Sequence, residues 1–194
     1  MAYGAGMELR NWAEDHARGL LRPLGRRWRH AQAVAEVAQK LASGLTPEDA
    51  EVLVAAAYLH DVGYARELAV TGFHPLDGAR HLRTLGHERL AGLVAHHTRA
   101  LHEARLRALE SALADFADED SLVSAALAYC DLITGSSGEG ITPERRLIDV
   151  QARYGAESLV TRGLRAAWPE LMEAFELVEA LKRLHAGAMV AQPR

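Results

Sequence analysis

The stretch AAYLHDVGYA, Ala56 to Ala65, decides how this 194-residue chain is read. An apolar, helix-favouring run ends in the adjacent pair His60-Asp61, and Val62 and Gly63 follow at once. Counted back by helical turns, His60 follows Leu53, Ala56 and Ala57, while Asp61 follows Val54 and Ala57. Both side chains therefore point inward where a buried helix stops, and Gly63 is expected to let the chain turn away. The dipeptide by itself carries little weight. Ten His and nine Asp in a chain of this length supply about half such a pair by chance.

Outward from this point the chain reads as helix after helix. Ala and Leu are abundant, aromatic and β-branched residues are sparse, and no run alternates with period two. The pattern predicts helices near 6–20, 27–43, 47–60, 75–85, 87–99, 102–116, 119–134, 143–153, 156–166 and 169–186. Thr46-Pro47-Glu48-Asp49 offers an N-cap, a proline in the first turn and acids at the positive end of the helix dipole. Thr142-Pro143-Glu144 repeats that arrangement, and Asp120 or Ser121 is placed to cap the helix that leads to Asp131. Gly44 and Gly86 look like C-terminal stops. The loop TGSSGEGITP, Thr134 to Pro143, reads as a flexible connector, because no strand precedes it as a phosphate-binding loop requires.

Bulk numbers narrow the function classes. The chain has the length of one domain and the balance of an ordinary globule, with 49% apolar and 25% charged residues. A net charge of −4 gives no footprint for duplex nucleic acid. The run Arg26-Arg27-Trp28-Arg29 is local and reads as a solvated helix start. Cys130 is the single cysteine and has no internal disulfide partner. No apolar leader opens the sequence, and no apolar stretch approaches the ~20 residues of a membrane span, so a cytoplasmic location without a membrane partner is expected.

Polar residues on apolar faces carry the chemistry. His30 lies in line with Val34, Val37 and Leu41; His97 follows Leu90, Leu93 and Val94; Asp131 follows Val123, Leu127 and Ala128. His96 has Leu93 three residues before it and borders the same interior. A single buried His is ordinarily a satisfied core residue, but a buried carboxylate needs a counter-charge. No Lys or Arg shares the faces of Asp61 or Asp131 at helical spacing, so a divalent cation is the expected partner. Imidazole with carboxylate suits Mn, Fe, Co, Ni, Zn or Mg, as one or two ions. His74, before Pro75 at a helix start, is placed to lean over the same site. His16, His81, His87, His102 and His185 sit among charged neighbours and read as surface residues.

The order His30, His60-Asp61, His74, His96-His97, Asp131 resembles the HD superfamily of metal-dependent phosphohydrolases, over roughly residues 25–135. RHAQAVAEVAQKLA (29–42) is similar to that family's first-His helix, YLHDVGY (58–64) to its His-Asp-Ile-Gly segment, and YCDLITG (129–135) to its terminal Asp segment. The resemblance implies an all-α, compact multi-helix bundle over residues 1–142, with helices from 143–194 packed on it. It implies His30, His60, Asp61 and Asp131 as ligands of a first metal. His74 and one of His96 and His97 would hold a second, and Asp61 would bridge the two as the catalytic centre. Tyr64 stands where many members carry Lys, and the Gly-Tyr-Pro segment of the cyclic-di-GMP phosphodiesterases is missing after AHHT.

The implied activity is hydrolysis of a phosphomonoester or phosphodiester in a small, nucleotide-like substrate by a metal-activated hydroxide. The alternatives are a metal- and nucleotide-binding regulatory module without turnover, and the oxygenase chemistry of some di-iron relatives. Arg66, Arg80, Arg99 and Arg145 or Arg146 are phosphate-binding candidates by position. In the C-terminal part, AAWPELMEAFELVEALKRL presents a stripe of Leu171, Phe175, Val178 and Leu181, which reads as core or, alternatively, as a homodimer face.

Overall fold

A computed structural model describes residues 3–190 of the chain, with side chains for residues 8–184. The elements run α1 (Tyr3–Leu21), α2 (Arg26–Ala42), α3 (Pro47–Leu59), α4 (His74–Thr84) and α5 (Glu88–His96). They continue through α6 (Leu101–Leu106), α7 (Glu110–Leu113), α8 (Leu122–Leu132), α9 (Pro143–Tyr154) and α10 (Leu159–Val190). The fold is all-α, and among the described residues the nearest approach to a strand is an isolated bridge between Thr134 and Gly140. No described helix is long and apolar enough to cross a membrane.

Helix α3 is the hub. Val52 to Leu59 are buried without interruption, the mark of a helix surrounded by others rather than lying on a surface. It packs on α1, α2, α5 and α8, while α4 and α5 pair as a hairpin. Thr46 caps α3, its hydroxyl accepting from the Asp49 N–H at 3.2 Å, and Pro47 opens the helix. Thr142 caps α9 in the same way. Of the two candidates for α8, Ser121 is the cap: its hydroxyl accepts from the N–H of Val123 and Ser124, and the Ser124 hydroxyl returns to the Ser121 N–H. Gly86 takes up φ +82° after α4, as a C-terminal stop requires, whereas Gly44 is not left-handed.

Several boundaries differ from the sequence pattern, each for a local reason. The helix expected over 87–99 ends at His96, because Thr98 and Arg99 both adopt left-handed backbone, at φ 51° and 54°. The expected 102–116 helix splits into α6 and α7 around Ala108, at φ 57°. The two helices expected on either side of Trp168-Pro169 are one, α10, which runs through Pro169. A proline inside a helix costs about 3 kcal/mol. Here Ala167 and Leu171 flank it and pack with Ala128 and Leu132 of α8, which offsets that cost. Leu171 and Val178 of the expected stripe are buried, and Phe175 packs against the core. Gly163 lets α10 cross α6 closely: a Cβ there would stand 2.6 Å from the Cβ of Glu103.

Candidate metal centre

Five segments deliver polar side chains to one interior point. His30 comes from the first turns of α2, His60 and Asp61 from the end of α3, and His74 from the start of α4. His97 follows α5, and Asp131 stands in the last turn of α8. All but His74 are buried, and His74 is mostly so. Two groups with no member in common each have ligand atoms within 4.8 Å of one another: His30, His60 and Asp131, and Asp61, His74 and His97. Oδ1 of Asp61 joins them, at 3.7 Å from Nε2 of His60 and 3.4 Å from Nε2 of His74.

Backbone carbonyls orient the rings. Nδ1–H of His30 donates to Gly135 O at 2.9 Å, that of His60 to Ala57 O at 2.8 Å, and that of His97 to Val94 O at 2.6 Å. With Nδ1 holding the proton, Nε2 of His60 and of His97 turns its lone pair to the interior, which is how proteins set an imidazole to ligate a metal, while Nε2 of His30 meets Oδ1 of Asp131 at 2.8 Å. Gly135 belongs to the loop read as a connector, so that loop also fixes a member of the cluster. Nε2 of His74 lies 3.2 Å from Nε2 of His97, and the His74 ring is stacked on Tyr64 at 3.9 Å between centroids.

A test of fit comes from His60. Its Nε2 is buried and has no hydrogen-bond partner, since Asp61 Oδ1 at 3.7 Å and Asp131 Oδ1 at 3.9 Å are both too far. A buried nitrogen left unpaired between two carboxylates is destabilising, and a divalent cation satisfies all three groups at once. The residues present therefore fit a metal. Burial lowers the affinity of His74 and His97 for protons, well below the usual range for His74, and so keeps both in the neutral form that ligates.

The carboxylates are not without counter-charges, contrary to the reading from helical spacing. Arg27 of α2 donates to Oδ2 of Asp61 at 3.0 Å, and Arg146 of α9 to Oδ1 of Asp131 at 2.6 Å. Spacing along one helix cannot reveal a partner that arrives from another helix. Burial works to raise both carboxyls, but the Arg27 guanidinium holds Asp61 well below the usual carboxylate range, and Arg146 does the same for Asp131. Arg27 thus leaves the solvated run to which the sequence assigned it. It lies 3.5 Å over the Tyr64 ring and donates to the Tyr154 hydroxyl at 2.7 Å.

Not every candidate arrives. His96 stands outside the cluster, because its place one residue before His97 turns its ring toward Phe116, whose carbonyl lies 2.9 Å from Nε2. Arg66, Arg80 and Arg145 are exposed, Arg145 pairing with Asp149, whereas Arg99 and Arg146 border the site. His16, His81 and His87 are half-buried rather than surface residues. Helix α1 brings Trp12 against His87 and His16 against His81, where the two Nε2 atoms are 2.7 Å apart. His102 pairs with Glu170, and the His185 side chain lies outside the described residues.

A narrow cleft of about 80 Å³ opens over Asp61, His74, His97 and Asp131. Val150, Val160 and Leu164 form an apolar wall, facing Arg27, Tyr64, Arg146 and Tyr154. Contributions from α9 and α10 were not readable from spacing: Arg146 was one of several arginine candidates by position, and nothing in Tyr154 marks it apart from a surface residue of an amphipathic helix. Compared with known proteins, residues 27–157 match the HD domain family, more than half of the chain and a span that includes every member of the cluster. No curated protein and no solved structure matches it significantly.

Proposed function

The chain belongs to the HD domain family, and from that membership we propose a metal-dependent phosphohydrolase. It cleaves a phosphomonoester or phosphodiester bond of a small, nucleotide-like molecule. The observation that carries this reading is the buried, unpartnered Nε2 of His60 between two carboxylates, on a ring whose Nδ1, like those of His30 and His97, is held by a backbone carbonyl. His30, His60, Asp61 and Asp131 would hold one ion, and Asp61, His74 and His97 a second. Asp61 would be shared by both. The donor set, imidazole and carboxylate without thiolate, favours Mn, Fe, Co, Ni, Zn or Mg. A divalent ion bound there supplies a water of lowered pKa and neutralises charge on a phosphoryl oxygen.

The chain's own groups do the rest. Arg27 and Arg146 present guanidiniums at the cleft wall, where they stabilise negative charge that develops on a phosphoryl group. Tyr64, stacked on His74 and clamped under Arg27, fixes the face of that imidazole in place of the Lys many relatives carry. The apolar wall of Val150, Val160 and Leu164 limits water and strengthens these charge interactions.

The direct test is to purify the protein, measure its bound metal and screen nucleotides with Mn, Co, Ni, Fe and Mg. The expected result is metal-dependent phosphate release that Asp61→Ala abolishes. Background turnover with every metal overturns the proposal, and nucleotide bound tightly without turnover would make the protein a regulatory module instead.

A further inference from the structure

Behind the cleft lies a second cavity of about 300 Å³, whose lining includes Arg26, Arg27, Arg146, Arg153 and the Ser136 hydroxyl. No carboxylate lines it. Arg27, Arg146, Arg153 and Tyr154 border both cavities, so together they form the partition between the metal cluster and this space. Four guanidiniums converge there in a chain whose net charge is −4. Such a concentration of one sign is costly unless an anion occupies it.

The counter-charges present belong to the other side. Arg27 is tied to Asp61 and Arg146 to Asp131, and both carboxylates are also members of the metal cluster. Arg26 and Arg153 have no carboxylate within 4.0 Å among the described residues. Arg153 instead lies 5.6 Å from the centroid of the Tyr154 ring, whose hydroxyl accepts from Arg27. Once Asp61 and Asp131 share their charge with an ion, the guanidiniums on the partition are left to a ligand. The cleft of about 80 Å³ takes one phosphoryl group, and a single such group leaves most of that positive charge unmet.

We infer that the cavity lined by Arg26, Arg153 and Ser136 binds a second phosphoryl group of the substrate, so that the molecule hydrolysed carries at least two. This deepens the phosphohydrolase reading and rests on it for the word substrate, while the anion site stands on its own geometry. Guanidinium forks pair with phosphate oxygens in a bidentate manner, and Ser136 adds a hydroxyl donor.

The test uses the full chain with its metal bound, with inorganic pyrophosphate and orthophosphate as probes in titration calorimetry. Pyrophosphate is expected to bind, and more tightly than orthophosphate. Arg153→Ala and Arg26→Ala are each expected to weaken it about tenfold, the size of one charge-assisted contact. Arg145→Ala removes the same charge from the same helix but faces Asp149, and is expected to leave binding unchanged. Arg26 is exposed, so its variant is expected to keep the wild-type unfolding midpoint, which is measured alongside. Absence of pyrophosphate binding, or equal weakening in all three variants, overturns the site. Orthophosphate binding as tightly as pyrophosphate also overturns it and marks an exit for released phosphate. If the arginine dependence holds but no phosphoester is turned over, the anion site stands and the hydrolase reading falls. If metal-dependent turnover is found without that dependence, the reverse applies.

Discussion

Gly63, in the 3₁₀ turn Val62–Tyr64, shows what a single position contributes beyond its pattern. Its φ is not positive, so freedom to turn is not the reason for glycine. A Cβ there would fall on the His74 carbonyl oxygen and stand 2.6 Å from the Gly78 backbone nitrogen. The His-Asp turn and the start of α4 are in backbone contact, and that contact holds His74 beside Asp61. Gly63→Ala must push two backbone segments apart, at a cost of about 1–3 kcal/mol or more. It is expected to lower the denaturant midpoint and to reduce bound metal together, checked by unfolding and metal analysis on the same preparation. Normal metal content in a stable variant would contradict it. At this scale the sequence was most legible where a polar group broke an apolar stripe, as at His30, His60, His97 and Asp131. It was silent on Arg27 and Tyr154 as members of the site, since both resemble surface residues until another helix packs beside them, and it offered Arg146 only as one of several arginines by position.

Between elements, α1 and α4 meet through His16 and His81. Their ring centroids are 5.0 Å apart, the planes differ by 11° and the Nε2 atoms are 2.7 Å apart, so the rings meet head to head and share one proton. Burial lowers the proton affinity of both, aided at His16 by the charges of His81 and His87 and opposed at His81 by Glu67. Below the ordinary value of 6.5 the unfolded chain therefore binds more protons than the folded one. The pair's contribution is complete above pH 6.5 and is lost as pH falls through the lower folded values. Thermal unfolding from pH 7 to pH 5 is expected to drop less in His16→Gln than in the wild type, and parallel curves would contradict this. Ser121→Ala, which removes the capping box of α8, is expected to cost about 1 kcal/mol in chemical denaturation. Caps and stops written in Thr, Ser, Pro and Gly were readable. Breaks at Thr98, Arg99 and Ala108 were not, because these residue types seldom adopt left-handed backbone and give no signal for it.

Across the whole molecule, the cluster gathers side chains from α2, α3, α4, α8 and the turn after α5, so an ion bound there crosslinks most of the core. That it is an all-helical fold followed from periodicity and composition, while α9 reaches the cluster through Arg146 on Asp131 and through Tyr154, whose hydroxyl accepts from Arg27. Without metal, Arg146 is the nearest cation to a buried carboxylate. With metal, the ion takes over much of that role. The two states should thus respond differently to the same substitution. Breaking a buried pair by removing one partner costs about 3–5 kcal/mol, because the remaining charge is left uncompensated. Arg146→Ala is expected to show most of that loss after EDTA treatment and distinctly less when metal is bound. Metal itself should stabilise the wild type, by about 2.7 kcal/mol at a hundred times its dissociation constant. Thermal and denaturant unfolding of wild type and Arg146→Ala, each with and without EDTA, closes the cycle. Equal losses in the two states would mean that Arg146 and the ion do not share Asp131.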